Sequence, residues 1–203
     1  MTLKQLHEIT FVEVANLQSN RFSFIQNEDL KENICIASQY IAFLFDLSNS
    51  YSVPGSVKYS IYKTIVIYAA SITEGLLHYC LDKMSNSKPS KTKEYKNIKS
   101  IYKLDNGDEL FLCSKKITER EWCDVKFDEL NRTAKKENII DQGLYDKCDL
   151  LRKQRNKIHI GDLSAGDDLF ELQEIKVIFE TLGVVILKVK SFTPTLPTPP
   201  TGS

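Results

Sequence analysis

Between Ser56 and Met84 the residues Ile61, Ile65, Tyr68, Ala69, Ile72, Leu76, Tyr79 and Cys80 recur at three- and four-residue steps. That spacing predicts one long helix with a buried stripe, and a stripe of that length needs other helices to cover it. The same periodicity predicts a helix over Asp29 to Leu47 (Leu30, Ile34, Ala37, Ile41, Leu44, Phe45), separated from the long one by the Pro54-Gly55 break. A weaker, charge-rich helix is expected over Lys126 to Ile140 on Phe127, Leu130, Ala134 and Ile139. A stronger one runs from Asp141 to Ile160 on Leu144, Cys148, Leu151 and Ile158, with Gly161 and Asp162 as its stop. The last, Asp168 to Val189, carries Leu169, Leu172, Ile175, Ile178, Phe179, Leu182, Val185 and Ile186, with Asp167 or Asp168 placed to cap it. The first 26 residues fit either a short strand or a single helical turn. The expected fold is therefore all-α, an up-and-down bundle of four or five helices in one domain over residues 1–192. Residues 193–203, with their prolines, are expected to form a disordered tail.

An insertion, residues 85–125, interrupts the helices. From Ser85 to Lys103 the helical pattern gives way to Ser, Asn and Lys, read as a basic loop in which Lys88, Lys91, Lys93, Lys96, Lys99 and Lys103 are opposed only by Glu94. "IYKLDNGDELFL" then sets Asn-Gly between two β-favouring arms, the signal of a hairpin.

The 203 residues hold 27 Lys and Arg against 27 Asp and Glu, so a basic site for a polyanion has to be local. Five cysteines, Cys35, Cys80, Cys113, Cys123 and Cys148, form no C-x-x-C pair. Buried free thiols in a reducing compartment are expected, with no structural zinc. The N-terminus lacks the apolar segment and cleavage site of a signal peptide, and no apolar run approaches the length that spans a bilayer. These features predict a cytoplasmic protein without a membrane segment. There is no phosphate-cradling Gly-rich loop and no nucleophile elbow, so P-loop, kinase and serine-hydrolase chemistry lack their parts.

The densest chemistry lies in "LLRKQRNKIHIGDL", Leu150 to Leu163, which packs four Arg and Lys side chains, an Asn and one of the three histidines. On a helix, Arg155, Asn156 and His159 fall at about 300°, 40° and 340° from Arg152. They therefore flank the apolar stripe, where a cleft or a subunit interface would be lined. Imidazole can exchange a proton near neutrality, guanidinium matches a phosphate, and Asn can orient either. Such a set can bind a phosphodiester and manage the proton of a ribose hydroxyl without a metal. Lys and Arg near a helix C-terminus are also favoured by the macrodipole alone.

"LRKQRNKIHI" resembles the signature of the HEPN superfamily, in which an Arg, commonly followed by a polar residue, precedes a His by four to six intervening residues. Arg152 and His159 have six residues between them; Arg155 and Asn156 supply the Arg-polar pair, with only three residues between Arg155 and His159. The resemblance implies an all-α fold and a metal-independent endoribonuclease of a toxin-antitoxin or phage-defence system, with its site where two protomers meet. It implies His159 as acid-base, Arg152 and Arg155 on the phosphate, Asn156 orienting them, no cofactor and a 2′,3′-cyclic phosphate product. It also implies an acidic residue on a neighbouring helix, for which Glu74 is the candidate. Glu74 lies with Ile67, Ala70, Ser71 and His78 on the face away from the long helix's main stripe. Expected partners are RNA, a second copy, and an antitoxin or defence protein. RNA would be tracked by Lys88, Lys91, Lys93, Lys96 and Lys99, with Tyr95 and Tyr102 stacking on bases. The alternative is a non-catalytic HEPN-like dimerisation or partner-binding module.

Overall fold

The computed structural model describes residues 12–84, 88–156 and 170–192, without the Cys123 side chain. The fold is mostly helical with one two-stranded antiparallel sheet. Its helices are α1 (Val14–Asn16, continued by a π-helical turn over Leu17–Arg21), α2 (Glu28–Ser50), α3 (Gly55–Lys83), α4 (Phe127–Lys136), α5 (Gln142–Asn156) and α6 (Leu172–Phe192). The sheet pairs β1 (Thr92–Lys103) with β2 (Glu109–Thr118), and a 3₁₀ turn over Trp122–Asp124 leads into α4. Within the undecided N-terminal segment, Val14–Arg21 is helical and the described residues on either side of it are not.

Each helix begins or ends for a local reason. The Asn27 side chain accepts the Leu30 N–H at 2.9 Å, and Glu28 and Asp29 place negative charge on the positive end of α2. Pro54, extended at ψ 146°, stops the chain before α3. Asp141 accepts the Leu144 N–H at 2.9 Å to open α5. α4 was expected to reach Ile140, yet it ends at Lys136. Asn138 turns left-handed (φ 59°), so that its own N–H bonds Lys135 and the Ile139 N–H bonds Ala134, a Schellman ending. Ile139 is consequently buried without being helical. α6 begins at Leu172, where Glu174 reaches back to the Glu171 N–H at 2.8 Å. The expected caps Asp167 and Asp168 lie outside the described residues, as do the 193–203 tail and the stop at Gly161 and Asp162.

α3 packs against α2, α4, α5 and α6. A single buried stripe was expected, but apolar side chains are buried on two sides of this helix: Ala69, Ile72 and Leu76 on one, Val66, Ala70 and Leu77 on the other. Ala70, assigned to the far face, is fully buried because α5 and α4 cover that side as well. Tyr68, assigned to the core stripe, is 38% exposed and meets Tyr40 of α2 edge-on, ring centroids 5.2 Å apart. The Tyr79 hydroxyl donates to the Phe24 carbonyl at 3.1 Å and accepts the Gln26 N–H at 3.2 Å, closing the N-terminal segment over buried Phe22 and Ile25. Phe45 and Phe179 join α2 to α6 with centroids 5.1 Å apart.

Against expectation, α3 is long and apolar enough by length and composition to cross a membrane, but 61% of its apolar window is buried by its neighbours. Its hydrophobicity is that of a central core helix.

The insertion departs most from expectation. What read as a basic loop up to Lys103 is strand from Thr92 onward, so Lys93, Lys96 and Lys99 belong to β1, while Lys88 and Lys91 precede it. The turn is not a two-residue Asn-Gly turn. The Gly107 N–H bonds the Leu104 carbonyl at 2.9 Å, and Gly107 alone in the loop is left-handed (φ 91°), a three-residue loop over Asp105, Asn106 and Gly107. Both strands are solvent-exposed along nearly their whole length. The hairpin is tied down at its base, where Ser90 and Arg120 both bond Glu129 of α4.

A core centred on α3 makes a measurable statement. Leu76→Ala should cost about 2–5 kcal/mol, read in urea as a lower midpoint at unchanged slope, whereas Ile67→Ala on the open edge of the same helix should stay within about 0.5 kcal/mol.

Candidate functional site

α5 buries Leu144, Cys148 and Leu151, and this orientation fixes what its last two turns present. Arg152 and Arg155 come out half-buried at the margin of that stripe, and Asn156 is exposed. The two arginines are held differently. Arg155 crosses to α3, its guanidinium donating to Glu74 Oε2 at 2.7 Å, both side chains 29% exposed. The same guanidinium lies over the Phe127 ring, the first residue of α4, 5.7 Å from its centroid. Three helices therefore fix one cation: α5 supplies it, α3 the carboxylate, α4 the aromatic floor.

Arg152 stays on its own helix. Its Nε and one terminal nitrogen donate to Asp149 Oδ1 at 2.9 and 2.8 Å, and Lys153 takes Asp149 Oδ2 at 2.8 Å. The sequence window from Leu150 to Ile160 contained no acid, and Asp149 lies one residue before it. Its three- and four-residue spacing to Arg152 and Lys153 was the signal that could have found it. His159 lies outside the described residues. Of the expected site residues, the structure thus brings Arg155 and Glu74 together, keeps Arg152 apart on Asp149, and leaves Asn156 open to solvent. Glu74 and His78 share the outer edge of α3, but the Glu74 carboxylate is turned to Arg155.

The hairpin lysines do not form one patch. Cross-strand pairing sets Lys96 opposite Ser114 and Lys99 opposite Leu112, on the face that also carries Tyr102 opposite Leu110. Lys93, opposite Ile117, and Tyr95, opposite Lys115, are on the other face. Tyr95 and Tyr102 are both exposed but cannot stack on one strand of RNA from one side. Opposing charge is also greater than expected: Lys91 pairs with Glu119 from the end of β2, besides Lys96 with Glu94 at 3.3 Å. A cleft of about 580 Å³ at the hairpin base is lined by Glu119, Asp124, Asp128 and Glu129 against Arg120 and Lys126. That balance does not suit a phosphate backbone.

The thiols divide. Cys35, Cys80 and Cys148 are buried, and burial pushes Cys80 and Cys148 up to about 12, so they remain protonated. Cys113, on β2, is partly exposed, contrary to the expectation of burial, because the hairpin has no core above it.

Set against known proteins, the chain has no significant match among family models, curated proteins or solved structures.

Three carboxylates near these elements titrate below their usual range. At Asp149 the Lys153 hydrogen bond contributes most, burial opposes it, and Arg152 adds to the lowering. At Glu129 burial alone would raise the value, but the Ser90 and Arg120 hydrogen bonds outweigh it. At Asp141 the Leu144 N–H contributes most, with Lys188 adding to it against burial. A folded-state pKa below the unfolded one adds stability that is complete above the ordinary value and is lost as pH falls through the folded value. The melting temperature should therefore hold from neutrality down to the ordinary values of 4.5 for Glu129 and 3.8 for Asp149, and drop below them. Asp149→Asn should flatten part of that acid limb in a thermal scan; an unchanged limb in that variant would remove the pairing from the account.

Proposed function

We propose that the chain is a HEPN-like, metal-independent endoribonuclease built as an up-and-down helical bundle, of the kind that serves toxin-antitoxin or phage-defence systems. It acts in the cytoplasm as a homodimer, with an antitoxin or defence protein as a further partner. His159 exchanges the proton of the ribose 2′-hydroxyl or of the leaving oxygen. Arg155 bears on the scissile phosphate and the charge that builds on it, and Asn156 orients the group beside it. Arg152 acts as the outer cation, and the product is a 2′,3′-cyclic phosphate.

The observation that carries this reading is the Arg155–Glu74 pair over Phe127. It gives the Arg-Asn member of the motif a fixed guanidinium on a half-open surface, with a carboxylate from a neighbouring helix. It also favours Arg155 over Arg152 as the phosphate ligand. α4 adds a second support: its first turn holds both Phe127, under Arg155, and Glu129, which anchors the hairpin base. RNA lying along Lys96 and Lys99 on one face, or Lys93 on the other, would run past Lys88 and Lys91 toward the helix that floors the site while keeping clear of the acid-lined cleft at the hairpin base.

One observation favours the non-catalytic module instead. Both guanidiniums already carry a carboxylate at 2.7–2.8 Å, as structural cations do. The two readings part in a cleavage assay. Pure protein with end-labelled RNA in excess chelator should yield 2′,3′-cyclic ends, His159→Ala should lose about 10²–10⁴-fold in rate, and Arg155→Lys should lose more than Arg152→Lys. Absence of cutting, or cutting that persists in His159→Ala, would leave only the interaction module.

A further inference from the structure

We infer that β2 is a pairing edge for a second copy of this chain, two hairpins joining side by side and antiparallel into a four-stranded sheet centred on Cys113. The hairpin needs a partner. Two strands alone are marginally stable in water, yet among the described residues no helix covers either face. Ile98, Ile101, Leu112 and Ile117 are each more than half exposed.

The two edges are unequal. β1 carries both register shifts, two residues facing one after Lys96 and again an extra residue after Ser100, and a left-handed Asn97 (φ 53°). Such bulges are how an edge is closed to pairing. β2 has neither feature over its ten residues and is the open edge.

Symmetry and charge fix the register. Two identical strands paired antiparallel are related by a two-fold axis perpendicular to the sheet, so one residue must face its own copy. The middle of Glu109–Thr118 offers Cys113 or Ser114. Centring on Ser114 sets Glu109 opposite Glu119 of the second copy, like charges directly across. Centring on Cys113 sets Glu109 opposite Ile117 with Lys115 on the same face, Leu110 opposite Lys116, and Phe111 opposite Lys115. Asp108 and Glu109 at the hairpin tip then lie diagonally beside Lys116 and Lys115 of the other copy, twice over. The chain's own C-terminal segment is no rival occupant, since Pro194, Pro197, Pro199 and Pro200 cannot supply a ladder. This contact is independent of the chemistry at Arg155.

The test uses the full chain in a Cys123→Ser background. Directly paired residues lie about 4.5–5.5 Å apart at Cα, within disulfide reach. Mild oxidation with diamide should therefore give a covalent dimer through Cys113 on a non-reducing gel. Moving the thiol one residue, Cys113→Ser with Ser114→Cys, should lose the cross-link, since residue 114 stands about 7–8 Å diagonally from its copy. In sedimentation the unmodified chain should be dimeric, and K115E with K116E, both exposed positions, should raise the dissociation constant at least about tenfold. A monomer throughout the micromolar range, equal cross-linking at 113 and 114, or a dimer indifferent to the charge reversal would each overturn the proposal.

Discussion

α3 is buried over most of its circumference, and the rest of the molecule is arranged by that demand. A helix whose buried side chains span more than half of its circumference cannot lie on a surface; it must be enclosed, and α2, α4, α5 and α6 pack around it. The edge left uncovered, around Ile67, Ser71, Glu74 and His78, is the place where a polar side chain on α3 can act without a desolvation penalty on all sides. Glu74 uses it to hold Arg155. The site is thus a by-product of how the core closes: α5 buries Leu144, Cys148 and Leu151, and the residues flanking that stripe are brought to the open edge of α3.

The two arginines of the motif illustrate how one helix can present similar groups with different consequences. Arg152 and Lys153 share Asp149, a pairing within one helix that leaves one net positive charge and reports only on local structure. Arg155 spans three helices, so its position reports on tertiary structure. A guanidinium of the second kind keeps its place when a ligand arrives, which is what binding a transition state requires.

What the sequence disclosed follows the strength of its periodicity. α2, α3 and α6 were legible because long apolar repeats have few alternative explanations, and Glu74 was named as the acid near the motif because the resemblance implied a carboxylate on a neighbouring helix and Glu74 lay on the less apolar side of α3. The end of α4 was not legible, because Ile139 continues the apolar period while the chain has already turned at Asn138. The hairpin's extent was hidden because neither face has a core to impose alternation, so Lys93, Lys96 and Lys99 read as loop. The pairing Lys91–Glu119 depends on the register of that hairpin, and Ser90–Glu129 on how its base meets α4. Phe127 beneath Arg155 has no signal in local sequence, since 28 positions separate them and the contact arises only where α4 and α5 pack on each other and on α3.

The most direct measurement is a double-mutant cycle on stability between Glu74→Ala and Arg155→Ala, with Asp149→Ala and Arg155→Ala as the control pair. A carboxylate on α3 that fixes the α5 guanidinium should give a coupling of about 1 kcal/mol or more for the first pair and close to none for the second. Additive losses at Glu74 and Arg155 would mean that the two helices do not meet through this contact, and the site built upon it would have no foundation.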